Sequence, residues 1–400
     1  MMKVKLKDIA DINMGQSPKG DTYNNNNNGM PFLQGRKTFG RIFPFIDTWT
    51  TNPIKIAEKD SILMSVRAPV GDMNISNQKI CIGRGLCSIN MHNSNNKYLY
   101  YLLLANISKL KENSTGTVFD SINRTDLENL ELNIENEENQ NKIVNILGTI
   151  DDKIEENNQI NDNLLNLTKS NYIQWFKKYK VPNKTLNLKN SEIGQIPDKW
   201  EIKWLKDVFF FQEGPGIRNW QYVEEDGTKF INIRCIKDDD LDLSTANMIS
   251  NEEANGKYAH FMLKPWDVVV STSGTLGRSQ IIREEHLPLC LNTSVIRFEP
   301  LNGMDEYAFM YNYLISNEFL NLLDTLATGS AQRNFGPVHL RQIKLLVPDK
   351  DTLKEFNNIN FPIIKKIEQN KSENIYLQNL RDTLLPKLMN GEIDLDKVEI

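Results

Sequence analysis

Four hundred residues fit about two to three domains, and a hydrophobic content of 40% is enough to give each an ordinary core. No run of roughly eighteen apolar residues occurs, and the start Met1-Met2-Lys3-Val4-Lys5-Leu6-Lys7 has no apolar stretch, so neither a membrane span nor a signal peptide is expected. A net charge of -5 argues against a nucleic-acid partner only as a sum: residues up to Leu130 carry roughly five more Lys/Arg than Asp/Glu, whereas Trp200 to Pro348 is acidic by roughly six.

Val4 to Asn136 is rich in β-branched and aromatic residues, short apolar runs and Gly/Pro/Asn turns. Ser61-Ile62-Leu63-Met64-Ser65-Val66 and Ile80-Cys81-Ile82 are predicted strands, punctuated by Gly83 and Gly85. Lys97 to Leu110 has helical spacing, and Asn24 to Asn28 is a low-complexity loop. Gln140 to Phe176 contains no Pro and only Gly148 as a glycine. Its apolar residues Ile143, Leu147, Ile150, Ile154, Leu164 and Trp175 recur at a three-four spacing. At ~1.5 Å per residue this helix spans on the order of 50 Å, more than a small domain needs.

Lys177 to Lys199, with Pro182 and Pro197, is a polar linker. Trp200 to Pro348 repeats the earlier mixture, with Asp267 to Ser271 as a strand and Glu306 to Leu326 as a helix. A second purely helical stretch from Pro362 to Met389 carries Ile363, Ile367, Leu377, Leu384 and Leu388. Pro362 fits its first position, and Pro386 should end or kink its last turn. Cys81, Cys87, Cys235 and Cys290 have no disulfide or zinc spacing and read as small core hydrophobes in a reducing cytoplasm. His286 and Cys290 stand four apart, but Pro288 between them and the lack of a second ligand pair rule out a metal site.

The chain repeats itself. Gly116-Thr117-Val118 through Trp175 overlies Gly329-Ser330-Ala331 through Leu388 at a constant offset of roughly 213 positions. Upstream, with small gaps, Leu6-Lys7-Asp8-Ile9 matches Leu205-Lys206-Asp207-Val208. Pro31-Phe32-Leu33-Gln34 matches Lys229-Phe230-Ile231-Asn232, and Asp60-Ser61-Ile62-Leu63 matches Asp267-Val268-Val269-Val270. In both helices Asn interrupts the apolar seam at the same places, Asn157 and Asn161 in one and Asn370 and Asn374 in the other. Asn is common in this chain; seam Asn residues also fix register and pairing. If the helices pack antiparallel, the two globular copies are related by a pseudo-two-fold axis, the local symmetry of DNA. Half-sites on one face of a duplex lie about one turn, ~34 Å, apart, and the helices are a suitable ruler for that distance. Two readers of unlike sequence then predict a bipartite, asymmetric DNA site.

With these marks the chain resembles the specificity subunit of Type I restriction–modification systems, over nearly its whole length. The resemblance rests on Gly15-Gln16-Ser17-Pro18-Lys19-Gly20, Ser65-Val66-Arg67-Ala68-Pro69-Val70-Gly71-Asp72 and Ile82-Gly83-Arg84-Gly85-Leu86 in the first copy. It rests also on Gln140-Asn141-Lys142-Ile143, Ile150-Asp151-Asp152-Lys153-Ile154, Glu192 to Trp200 and Leu380 to Ile393. The second copy departs from the pattern: Ser273-Gly274-Thr275-Leu276 stands for the Arg-Ala-Pro-Val turn, and Phe356-Asn357-Asn358 stands where the helix lacks its Gln.

The resemblance implies an α+β fold in which two mixed α/β target-recognition domains form a pseudo-two-fold repeat, separated by two long antiparallel coiled-coil helices. The divisions are residues 1–138 for the first target-recognition domain, 139–178 for the first spacer helix and 179–199 for the linker. They continue with 200–350 for the second domain, 351–391 for the second spacer helix and 392–400 for the tail. The function implied is sequence-specific reading of double-stranded DNA in the bacterial or archaeal cytoplasm, without catalysis and with no directly bound cofactor. Two modification subunits bind S-adenosylmethionine and methylate adenine, and the family can also recruit restriction subunits that use ATP and Mg. The sequence has no phosphate loop ending in Gly-Lys-Ser/Thr and no Asn/Asp-Pro-Pro-aromatic methylation motif. Asn52-Pro53-Ile54 is the nearest approach and fails at the second Pro. That absence counts against a fused single-chain restriction–methylation enzyme, while the acidic second half keeps a coiled-coil adaptor without a DNA role as the other alternative.

Base edges are best read by Arg on guanine and by Asn or Gln on adenine. Loops that hold Gly beside basic residues nominate Gln34, Arg36, Lys37, Arg41, Arg67 and Arg84 in the first domain, with Lys19 and Lys79 as phosphate contacts. In the second they nominate Arg218, Asn219, Trp220, Arg234, Arg278, Gln332, Arg333 and Asn334. For any single Arg the plainer alternative is a solvated surface charge; Arg67 and Arg84 stand out because small neighbours permit close approach.

Overall fold

A computed structural model describes residues 1–112, 121–327 and 333–397. The chain forms two compact units, Met1–Ile154 with Tyr376–Ile400, and Glu155–Ile375. The repeat starts at Gly116-Thr117-Val118 and at Gly329-Ser330-Ala331, which lie outside the described residues.

In the first unit, strands Ala10–Met14, Leu86–Met91, Ile62–Ser65 and Met73–Ile75 lie in that order in an antiparallel sheet. A five-stranded sheet contains a parallel pair, Met30–Leu33 beside Ile80–Ile82. Met2–Lys5 pairs with Glu131–Ile134 and joins the start of the domain to its end. The second unit uses the same plan. Phe209–Glu213, Val295–Pro300, Val268–Ser271 and Ser279–Ile281 form the matching sheet. Gly227–Ile231 runs parallel beside Leu289–Leu291, and Glu201–Trp204 pairs with Lys344–Val347. Central strands in both copies are continuous apolar runs because both faces are covered.

The structural register differs by one residue from the sequence match of Asp60 with Asp267. The N–H of Asp60 bonds the Ser76 carbonyl as that of Trp266 bonds Ile282, and Asp60 and Trp266 both have positive φ, 64° and 74°. The counterpart of Asp60 is therefore Trp266, and that of Asp267 is Ser61. The sequence match followed identical carboxylates, whereas the backbone follows the turn.

The first long helix runs Glu137–Tyr172 and continues as a π turn, Ile173–Lys177. Its Ile143 and Leu147 share the first unit's core with Leu385, Leu388 and Met389 of the second long helix, Lys350–Met389. In the second unit Tyr172, Trp175 and Phe176 enter an aromatic core with Trp200, Phe309 and Phe356, and the Phe176 and Phe356 rings lie 4.6 Å apart.

Four expectations are corrected. Pro362 is inside the second long helix, not at its start. Asp349 sets the start, its carboxylate accepting the Thr352 N–H at 3.0 Å. Pro386 does not end the helix, which continues to Met389 while Leu385 and Leu388 are held in the core. The linker is not polar throughout: Leu188–Ser191 and Gly194–Pro197 form a hairpin, and Val181 and Ile196 are buried. The two shorter predicted helices are each broken in two. Asn106 divides Asn96–Ala105 from Ile107–Glu112, its amide bonding the Leu102 carbonyl. Ser316 caps Asn317–Leu326 by accepting the Phe319 N–H, which separates it from Tyr307–Leu314.

Candidate nucleic-acid interface

The parallel pairing of Met30–Leu33 with Ile80–Ile82 delivers two loops to one edge, Gln34-Gly35-Arg36-Lys37 and Gly83-Arg84-Gly85. The Gly83 N–H bonds the Leu33 carbonyl at 2.7 Å, and the Gly85 N–H bonds that of Gln34 at 3.2 Å. A Cβ on Gly83 would stand 2.9 Å from Gln34 Cα, so only glycine permits this approach. Gly15 abuts the same place; a Cβ there would stand 2.2 Å from the Gly83 carbonyl oxygen. Ser17 Oγ then accepts from the Gln34 amide at 2.9 Å and from the Arg84 N–H at 3.2 Å. The Val66 N–H bonds the Gly85 carbonyl at 2.9 Å and brings in the turn that carries Arg67.

Gln34, Arg67 and Arg84 thus converge, all exposed. Lys19 is on the adjoining loop, its carbonyl bonded by the Thr22 N–H. Tyr23 stacks on Phe32 at 4.7 Å; burial holds its phenol above the ordinary range, with Cys81 adding to the rise and the Arg84 cation opposing it. Arg36 is ion-paired with Asp72, beside an exposed Lys37, and Arg41 is exposed on the following loop. Lys79 is not brought to this edge. It precedes the strand that Arg84 follows and pairs with Glu58 at 2.9 Å.

The second unit rebuilds the edge with other side chains. Gly214 stands for Gly15, a Cβ there meeting the Leu291 carbonyl oxygen at 2.4 Å. Asn232 stands for Gln34, Arg234 for Arg36, and Asn292-Thr293-Ser294 for Gly83-Arg84-Gly85, with the Thr272 N–H bonding the Ser294 carbonyl at 3.1 Å. The Ser-Gly-Thr-Leu departure leaves the turn unchanged. Ser65 Oγ bonds the Pro69 carbonyl and accepts the Asp72 N–H; Ser271 Oγ does the same with Thr275 and Arg278. Ser273, the counterpart of Arg67, bridges Asn334 as Arg67 bridges Ser121.

One ion pair is reversed between copies. In the first the cation is on the loop and the carboxylate on the turn, Arg36 with Asp72; in the second Asp238 is on the loop and binds Arg278 on the turn at 2.6 and 2.9 Å. Arg333 is ion-paired with Asp324, and Gln332 lies outside the described residues. Arg218 and Lys19 occupy equivalent positions, each immediately before a 3-10 turn, Asn219–Gln221 and Gly20–Thr22. Asn219 and Trp220 are exposed on that turn.

The family model of the Type I restriction modification DNA specificity domain matches residues 1–166 and 197–378. The chain belongs to this family. The MjaIX type I restriction enzyme specificity subunit of Methanocaldococcus jannaschii is 23% identical over 98% of this chain and 94% of that one. The HindI specificity subunit of Haemophilus influenzae is 24% identical over 74% and 77%. The MjaX specificity subunit of M. jannaschii is 42% identical over 146 residues, a match that spans about a third of either chain (36% and 34%). In fold, the chain is similar to the crystal structure of the S subunit from M. genitalium, with a TM-score of 0.59 at 17% identity over 97% and 96% of the two chains.

In this specificity subunit the four seam Asn residues are buried and bonded within the second unit. The Asn157 amide donates to Asn374 Oδ1 at 3.0 Å and that of Asn370 to Asn161 Oδ1 at 2.8 Å. Residue numbers rise on one helix as they fall on the other, so these segments run antiparallel, and the repeat relation exchanges one contact for the other. All four cysteines are free and buried, and burial pushes the Cys87 thiol up to about 12. Among the described residues no cluster of His, Cys, Asp and Glu is arranged to hold a metal, and no helix is long and apolar enough to cross a membrane. Asn232, Ser273 and Asn292-Thr293-Ser294 were not among the sequence candidates, which were drawn from basic residues and their neighbours in Gly-containing loops. The usable signal was positional: each follows a strand whose counterpart precedes a named reader.

Proposed function

We propose that each globular domain reads one half of a bipartite, asymmetric site in double-stranded DNA, and that the long helices set the spacer and dock two modification subunits. Catalysis belongs to those partners: adenine methylation with S-adenosylmethionine, and cleavage with ATP and Mg where restriction subunits join. The complex works in the cytoplasm. The observation that carries this reading is the loop edge built twice on one backbone plan with different side chains. A shared strand plan supports a common task, and different side chains support different bases. In the first domain Arg84 and Arg67 offer paired donors to guanine, and Gln34 offers an amide to adenine. In the second, Asn232, Thr293 and Ser273 offer shorter polar groups at the matching places. Lys19 and Arg218 supply phosphate contacts, which position without specifying. The buried Asn pairs fix the helix register at a cost in stability.

Sequencing of methylated adenines in cells with and without the gene tests the function directly. One split, asymmetric motif should lose methylation when the gene is deleted. Unchanged methylation in cells whose modification subunits are demonstrably active would contradict it.

A further inference from the structure

Trp220 is 82% exposed, more than any other large hydrophobic side chain among the described residues. Exposure of a whole indole is unfavourable in water, and its setting is not that of a floppy loop. The Arg218 carbonyl accepts the Gln221 N–H at 2.9 Å, while the Gln221 side-chain oxygen accepts the Arg218 N–H at 3.1 Å. The Gln221 amide also bonds Glu253 Oε1 at 3.0 Å and the Tyr258 hydroxyl at 3.2 Å. Tyr222 then enters the sheet opposite Ile249. The backbone on both sides of Trp220 is therefore fixed, and the indole projects from it with little backbone ordering left to lose on binding. Arg218 and Asn219 beside it are exposed, in a domain that is otherwise acidic.

The equivalent turn of the first domain, Gly20–Thr22, carries Asp21 at this place. We propose, on the basis of the DNA-reading function above, that Trp220 is an aromatic wedge. It inserts at a base step of the half-site read by the second domain and partly unstacks it, while the first domain leaves its own half-site stacked. Apolar side chains inserted between base steps kink a duplex and let it bring more surface to the protein. A face made of indole plus one Arg needs little net positive charge to hold DNA, which gives the acidic domain a source of affinity that does not depend on phosphate neutralisation.

The test uses the assembled methyltransferase and duplexes bearing its methylation motif, with 2-aminopurine, an adenine analogue that pairs with thymine, placed in turn at each adenine of either strand within and immediately flanking both half-sites except the methylated adenines. Wild-type complex should raise 2-aminopurine emission at a step in one half-site only. Trp220→Ala should abolish that rise and weaken binding about tenfold or more, and Trp220→Phe should keep most of both. An unchanged thermal midpoint checks the fold of each variant. Emission that stays flat at every position, or that survives in Trp220→Ala, overturns the wedge. So does an affinity loss in Trp220→Ala without any emission change, which would make Trp220 a groove contact. Failure of the wild-type complex to discriminate its motif from other DNA overturns the DNA-reading function itself.

Discussion

A DNA-facing cation must be free to leave water for a base, and the candidate arginines differ in what they would leave behind. Arg36, Arg278 and Arg333 are each bound to a carboxylate of their own domain, so contact with DNA requires exchange of one partner for another. Arg84 is held by its backbone, through Ser17, with its side chain exposed. Arg67 is placed by the bridge to Ser121. Arg84→Ala and Arg67→Ala should each cost ~1–3 kcal/mol at one base pair and relax specificity there. Arg36→Ala should cost less, since Arg36 must give up Asp72 to contact DNA and gains only the difference between the two partners. Affinities of the assembled complex for a set of singly substituted duplexes measure this. If both Arg84→Ala and Arg67→Ala retained wild-type discrimination at every position, these two would be solvated charges.

At the scale of the elements, the seam asparagines present a choice between stability and register. Asn161 and Asn370 are buried and bond each other, so removing one partner strands a buried polar group, at about 1–3 kcal/mol. Asn161→Leu alone should therefore lower the thermal midpoint. The Asn161→Leu/Asn370→Leu pair should recover it, because two apolar partners leave nothing unpaired. The register should then be less well specified, seen as methylation at motifs of more than one spacer length. A double variant less stable than the single, with a single spacer retained, would refute this role. The long helices were legible because a three-four apolar spacing survives over many turns and Asn at matched places breaks it twice. The prolines misplaced the ends of the second helix, since Pro362 is carried inside a helix started by Asp349 and Pro386 inside its packed last turn, whereas the divisions implied by the resemblance fall within two residues of both helices. The repeat was legible in order but slipped by one at Asp60, because residue identity and backbone turn pointed to different partners. The network in which the guanidinium of Arg283 binds Asp240, Glu285 and Glu368 had no sequence signal at all: its members come from distant loops and a helix, and only the fold brings them together.

For the molecule as a whole, the question is how a chain of net charge -5 binds a polyanion. Affinity for phosphates comes from the cations that touch the duplex, each releasing counterions, and not from the net charge. The duplication places Lys19 and Arg218 at the same position before equivalent turns, one in a basic domain and one in an acidic domain. If both contact phosphate, Lys19→Ala and Arg218→Ala should weaken binding of the assembled complex uniformly across sequences. Each should reduce the slope of log affinity against log salt by about 1, despite the opposite charge of the two surroundings. The methylated motif should be the same in both variants. A changed motif in Arg218→Ala would mean that the two copies use this position differently, with Arg218 reading a base edge where Lys19 holds the backbone. An unchanged salt slope in Lys19→Ala would remove the first domain's loop from the phosphate contacts and leave the position without a shared role.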